Sequence, residues 1–236
     1  MKGLKLKVVT NVADMPNHII GTASESFTAT LGGKDYTFPA GTFDVEYSGA
    51  QLTDLSRVFA SKASLTSISN WTVDTSKVTN LGWMFYDSMI TSINLSKFDV
   101  SNVIYMDWTF QFRKLTYLDL SNFHTKKLAS VNYLFSGSKE LTCIDFGDNF
   151  DMSHVPRTNG MFNAMFKLTT IKGTLKNLSV SLSLSTCPLD HDSAVRIING
   201  LATVTTAQTL TLSDTTKATL SSTEKAILIN KGWTLA

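Results

Sequence analysis

The apolar residues of this chain recur as a phrase. Phe59, Phe85, Phe110, Phe135 and Phe162 fall at steps of 26, 25, 25 and 27 residues. Each is preceded by apolar positions three residues apart: Leu52, Leu55 and Val58; Val78, Leu81 and Met84; Val103 and Met106, with Thr109 in the third place; Leu128, Val131 and Leu134. A fifth copy, Val155, Thr158 and Met161, is degraded and holds Pro156. Spacing of three is helical, but the segment is too short for a stable helix. It predicts a single turn of α- or 3₁₀-helix lying on a core.

Five or six residues after each Phe comes an alternating phrase: LTSIS, ITSIN, LTYLD, LTCID and LTTIK. Alternation points Ile68, Ile93, Leu118, Ile144 and Ile171 inward and their neighbours outward. The turn phrases VDTSKV, FDVSNV, FHTKKL and FDMSHV close the first four units, with side chains suited to capping backbone donors. Helical turn, strand and turn at a fixed period predict a mainly β, right-handed, leucine-rich-repeat-like solenoid of parallel strands over residues 51–178.

Different patterns flank the repeats. In residues 1–50, LKLKVV, FTATL, KDYTF and FDVEY read as strands, with Gly32-Gly33 as a two-residue hairpin turn. This predicts a small N-terminal β module for attachment or oligomerisation. In residues 179–236, CPLDHDSAVRIINGL reads as a helix with Asp190 or Asp192 at its N-cap. AQTLTLS reads as a strand, SSTEKAILINKG as a helix with the capping box Ser221–Glu224, and WTLA as a last strand. That segment is expected to be an α/β C-terminal cap over the open end of the repeats.

Composition narrows the function classes. With 21 Lys and Arg against 19 Asp and Glu and no basic run, the chain lacks the electrostatic footprint of a nucleic-acid partner. No apolar run approaches the roughly 20 residues of a membrane span. The opening MKGLKLKVVTNVADM has no apolar core and does not read as a secretory signal. Cys143 and Cys187 are not spaced as a metal knuckle or redox pair. Cys187 and His191 lie four apart with Pro188 between them and no orienting partner, and Asp190-His191-Asp192 is better explained by helix capping than by metal binding. No phosphate-binding glycine loop is present, and no cofactor is implied.

Three files of equivalent residues are candidates for function. Thr66, Thr91, Thr116, Thr142 and Thr169 read as structural, through contacts between stacked β-branched hydroxyls. The outward strand surface carries Tyr117, Asp119 and Asp145; the two carboxylates are expected about 5 Å apart, where like charges repel and a cation or a basic partner group is the functional alternative. Lys172, next in that file, offers partial relief. The third file is the position two before each Phe: Trp83, Trp108 and Tyr133, with Arg57 and Gly160 at its ends. If these rings face solvent they form a flat apolar strip for sugar stacking or a protein partner. The alternative is that they fold over the turn and shield the core.

The phrase VTNLGWMFYDSMITSINLSKFDVSNV, residues 78–103, resembles the BspA-like leucine-rich repeat of bacterial surface proteins, as do LTYLDLSNFHT and LTCIDFGDNFDM; the likeness covers roughly residues 52–178. Residues 209–236 also resemble the closing segment of such proteins in gut bacteria and their phages. The family's repeat cysteine is missing from most units; Ser88 stands near its place, and Cys143 lies in the strand phrase instead. The resemblance implies a structural or adhesive role and no enzyme activity. It points to a phage-encoded virion component, such as a head or tail fibre, assembled in the host cytoplasm and needing no export signal. Its expected partners are other virion proteins through the N-terminal module and a host-surface glycan or protein through the repeats. A homo-oligomer is compatible, with a trimer favoured. The alternatives are a bacterial cell-surface adhesin and, in another class, a polysaccharide-acting enzyme, for which Asp119 and Asp145 are the available ladder pair.

Overall fold

The computed structural model describes residues 16–236, so the LKLKVV strand expected near the start lies outside the described residues. Among the described residues, four strands precede the repeats: β1 (His18–Ala23), β2 (Phe27–Leu31), β3 (Lys34–Phe38) and β4 (Gly41–Glu46). The repeats contribute β5 (Leu65–Trp71), β6 (Ser92–Ile93), β7 (Tyr117–Asp119), β8 (Cys143–Asp145), β9 (Phe150–Asp151), β10 (Thr170–Lys172) and β11 (Leu175–Lys176). The chain ends with β12 (Leu182–Leu184), α1 (His191–Gly200), β13 (Gln208–Leu212), α2 (Asp214–Thr219), α3 (Ser222–Asn230) and β14 (Trp233–Leu235).

The fold is mainly β with few helices, but it is not the expected solenoid of parallel strands. The strands form small, separate sheets: β4-β1-β5-β6, β10-β8-β7, β11-β9, β12-β13-β14 and β2-β3. Antiparallel pairing joins β1 to β4, β1 to β5 and β2 to β3, so the first sheet is mixed. Ile68 pairs with Ile93, Leu118 with Ile144 and Ile144 with Ile171, but β6 and β7 belong to different sheets and the file breaks between them. The physical reason lies in strand length. After β5 the repeat strands are two or three residues long, too short to carry one continuous ladder. β5 is longer and would present an open edge, which β1 covers antiparallel with Ile19 opposite Trp71.

The described N-terminal strands pack directly on the repeats, β1 pairing with β5. The Phe38 and Phe27 rings meet Phe59 edge-on at 5.5 and 6.3 Å. The Gly32-Gly33 hairpin is present, with Leu31 opposite Lys34 and both glycines at left-handed φ, 56° and 80°.

Two features hold the repeats together. The first is the phenylalanine file, with successive centroids 5.9, 6.2, 6.0 and 5.3 Å apart from Phe59 to Phe162. All five are buried, each contributing about 1.5–3 kcal/mol through removal from water. The second is a set of backbone bonds between units: Phe59 N–H to Met84 O, Phe85 to Thr109, Phe110 to Leu134 and Phe135 to Met161, at 2.9–3.0 Å. The segments that make these bonds are turns, not the single helical turns expected. In each one the residue two before Phe has a left-handed φ, which ends any right-handed helical path.

The turn phrases behave as read. Asp74, Asp99 and Asp151 each accept from the backbone N–H two residues on, at 2.8, 2.9 and 2.8 Å. The threonine file does more than stack: Thr91, Thr142 and Thr169 donate their hydroxyls to the carbonyls of Thr66, Thr116 and Thr142.

At the far end, α1 completes the edge of β10. Asp190 N–H donates to Thr169 O at 2.8 Å, and Ile171 N–H donates to Ser193 Oγ at 2.8 Å. Asp190 is the N-cap of α1, and the Ser221–Glu224 capping box opens α3. The short α2 and β12 were not anticipated. The first is a six-residue helix capped by Ser213, and the second lies in an alternating Ser-Leu run.

Candidate functional site

The site is built on the left-handed turns. Arg57, Trp83, Trp108, Tyr133 and Gly160 have φ of 61°, 64°, 56°, 56° and 58°. For a side chain as large as Trp this conformation costs about 1–2 kcal/mol, and it persists only where the surroundings impose it. Here the inter-unit bonds do so. The N–H of Arg57 donates to Gly82 O, that of Trp83 to Asp107 O, that of Trp108 to Asn132 O and that of Tyr133 to Asn159 O, at 2.7–3.0 Å. Asp107 reinforces the frame by accepting from Ser130 Oγ and from Asn132 N–H at 2.6 Å.

The same repeat geometry stacks the side chains. Trp83 and Trp108 lie 5.4 Å apart at 28°, and Trp108 and Tyr133 lie 4.4 Å apart at 12°. The Arg57 guanidinium sits 4.8 Å over the outer face of Trp83. Beyond Tyr133, a Cβ on Gly160 would fall 2.4 Å from ring carbons Cδ1 and Cε1, so the ring lies across that glycine. The three aromatic side chains are half-buried.

The ring faces are taken by neighbouring rings, by Arg57 and by Gly160, so solvent meets ring edges. The rings pack on one another and still reach the surface. Among the described residues, the indole N–H groups of Trp83 and Trp108 and the Tyr133 hydroxyl have no protein partner. Tyr86, which sequence reasoning passed over, widens the strip by packing on Trp83 at 4.6 Å and edge-on to Trp108 at 5.7 Å. Its signal was present as an aromatic three residues after Trp83 in the same turn.

Residues 53–174, more than half of the chain, match the model of a family described as Mycoplasma protein of unknown function, DUF285. The chain belongs to that family. DUF285 lies within the BspA-like surface-protein group. No curated protein and no solved structure matches the chain. The matched DUF285 residues include Arg57, Trp83, Trp108, Tyr133 and Gly160, and also the outward strand surface.

On that second surface of this DUF285 chain, Asp119 and Asp145 are register partners, as expected. Each already accepts a backbone N–H at 2.9 Å, from Ser121 and Gly147, and so acts as a turn cap. Lys172 pairs with Asp145 in register, and its Nζ lies 5.7 Å from the centre of the Tyr117 ring. Burial, followed by the charges of Asp119 and Asp145, raises the Tyr117 pKa. Among the described residues no group of three or more His, Cys, Asp or Glu is arranged to hold a metal ion.

The remaining nucleophile candidates are occupied structurally. Burial pushes the Cys187 thiol up to about 12, leaving it neutral. His191 is engaged by Asp192 at 3.2 Å and Glu224 at 3.0 Å, the latter tying α1 to α3. Burial also raises Cys143.

Proposed function

We propose that this protein is an attachment protein, displayed on a surface, that binds its target along the Arg57–Trp83–Trp108–Tyr133 strip. The observation that carries the reading is the stacked file itself. Large aromatics are held in a costly backbone conformation in three successive repeats, with their polar edges unpaired and facing solvent. Strain of this kind is a pointer to function when the surroundings over-determine it. Membership of the BspA-like group supports display at a surface. Binding is supported over catalysis by the ladder carboxylates, which lie on an open face and are each spent on a turn.

A finer placement, on a phage particle as a head or tail fibre, rests on the likeness of residues 209–236 to closing segments of phage and gut-bacterial proteins. In that setting the N-terminal region would hold the protein to other virion components.

The experiment is adhesion of the labelled full-length chain to bacterial cells and mucosal surfaces, comparing wild type with the double variant Trp83→Asn, Trp108→Asn. Asparagine tolerates left-handed φ, so the rings are removed without adding backbone strain. Loss of adhesion by a variant that keeps the wild-type circular dichroism spectrum is expected. Undiminished adhesion by the folded double variant would defeat the reading.

A further inference from the structure

The aromatic strip does not end at Tyr133. Gly160, across which that ring lies, and its neighbour Asn159, whose carbonyl accepts the Tyr133 N–H, both line a groove of about 500 Å³ between the last repeat and the C-terminal segment. The groove is walled by Arg157, Asn159, Ser181, Ser183, Gln208 and Thr211 among others, and no carboxylate lines it. Arg157 is exposed and makes no ion pair among the described residues. At the other end, Arg57 is likewise without an ion pair there, its guanidinium lying on Trp83. Strip and groove together span five repeat positions, roughly 20 Å at the usual spacing of neighbouring strands.

The free polar groups at the ring edges and the two arginines are donors, while Asn132 Oδ1 is a buried acceptor without a partner and the groove's hydroxyls and amides both donate and accept. Indole N–H and guanidinium groups donate and cannot accept, and the Tyr133 hydroxyl adds a further donor. A ligand that satisfies them must be long and rich in acceptors, and the unpaired arginine at each end selects negative charge. Arginine pairs with a carboxylate through two parallel bonds. The hydroxyl and amide side chains of the groove suit a ligand covered in hydroxyls. Nucleic acid fits poorly, because base stacking needs open ring faces and these are covered.

We infer that strip and groove form one continuous site for a linear acidic polysaccharide whose sugar carboxylates pair with Arg157 and Arg57. This rests on the attachment reading above and names its ligand class. The polymer lies along the ring edges, with its hydroxyl and carboxylate oxygens accepting from the Trp83 and Trp108 indoles, and enters the groove past Tyr133.

The test is affinity electrophoresis of the full-length protein through gels containing alginate, a polymer of uronate sugars, against neutral dextran and dextran sulfate. Retardation by alginate, weakened at least tenfold in Arg157→Glu and in Trp83→Asn and partly retained in Arg157→Lys, is expected. Equal retardation by dextran or by dextran sulfate overturns the carboxylate assignment. Loss in Arg157→Glu without loss in Trp83→Asn overturns the continuity of the site. Absence of alginate retardation overturns the inference as a whole. That last result leaves the attachment reading intact if the Trp83→Asn, Trp108→Asn variant still loses adhesion, so the two failures are told apart.

Discussion

Trp108 and Tyr133, twenty-five positions apart, stack at 4.4 Å and 12° from backbones that share a φ of 56°. The ring contact and the dihedral have one origin. The inter-unit bond from Trp108 N–H to Asn132 O fixes both residues in equivalent turns, so their side chains leave the surface in the same direction. A left-handed residue in every repeat thus sets the direction of the whole file.

The first prediction concerns that backbone. Trp108→Gly should be more stable than Trp108→Ala by about 1 kcal/mol, because only glycine adopts this φ without cost. Urea denaturation of the two variants measures the difference. In a helical turn the order would be reversed, with alanine favoured by a similar amount.

Ser138 is buried between two units. Its hydroxyl donates to Phe110 O at 2.8 Å and accepts from Phe112 N–H at 3.0 Å. Ser138→Ala leaves both backbone groups without that partner and should cost about 1–3 kcal/mol. The midpoint of chemical denaturation should fall with the m-value unchanged.

Lys231 ties the end of α3 to the end of α1. Its Nζ donates to the carbonyls of Ile198, Asn199 and Leu201 at 3.0, 2.7 and 2.8 Å, where the helix dipole also favours a cation. Lys231→Met keeps most of the aliphatic stem and should still cost about 1.5–3 kcal/mol. Hydrogen exchange should quicken first at the last turn of α1, which a merely solvated lysine would not cause.

Stability should depend on pH in two windows. The hydrogen bonds to Asp192 and then Glu224 raise the His191 pKa above its ordinary 6.5. The contribution of protonated His191 is therefore complete below that value and is lost as pH rises through the raised folded value. Burial pushes the carboxyls of Asp190 and Asp151 upward, but donors led by Ser193 and Ser153 outweigh it and hold both below 3.8. Their contribution is present above 3.8 and is lost as pH falls through the lowered folded values. Thermal melts across the acid and alkaline arms should show Tm falling on both sides, and His191→Asn should flatten the alkaline arm more than the acid arm, to which its contact with Glu224 also contributes.

Much of the architecture was legible before any tertiary information. The spacing of Phe59 to Phe162 located the core file, since only a repeated path returns one residue type to the same depth at each pass. Gly32-Gly33, the Asp-x-Ser turns, the N-cap at Asp190 and the Ser221–Glu224 box act over two to four residues, so their chemistry is visible locally. The candidate strip was also legible as a column, Trp83, Trp108 and Tyr133, ended by Arg57 and Gly160. Gly160 was the one local sign that the column is left-handed, because neither Trp nor Tyr favours that conformation.

What the chain determined by itself, then, was periodicity, depth and the places where it turns, all of which follow from side-chain polarity and short-range capping. Only the tertiary structure decided how strands partition among sheets, that β1 pairs antiparallel with β5, and that the ring faces are covered while their edges are free. Those outcomes depend on hydrogen bonds between units some twenty-five residues apart, which together outweigh the 1–2 kcal/mol cost of each left-handed turn, and no local preference encodes such a balance.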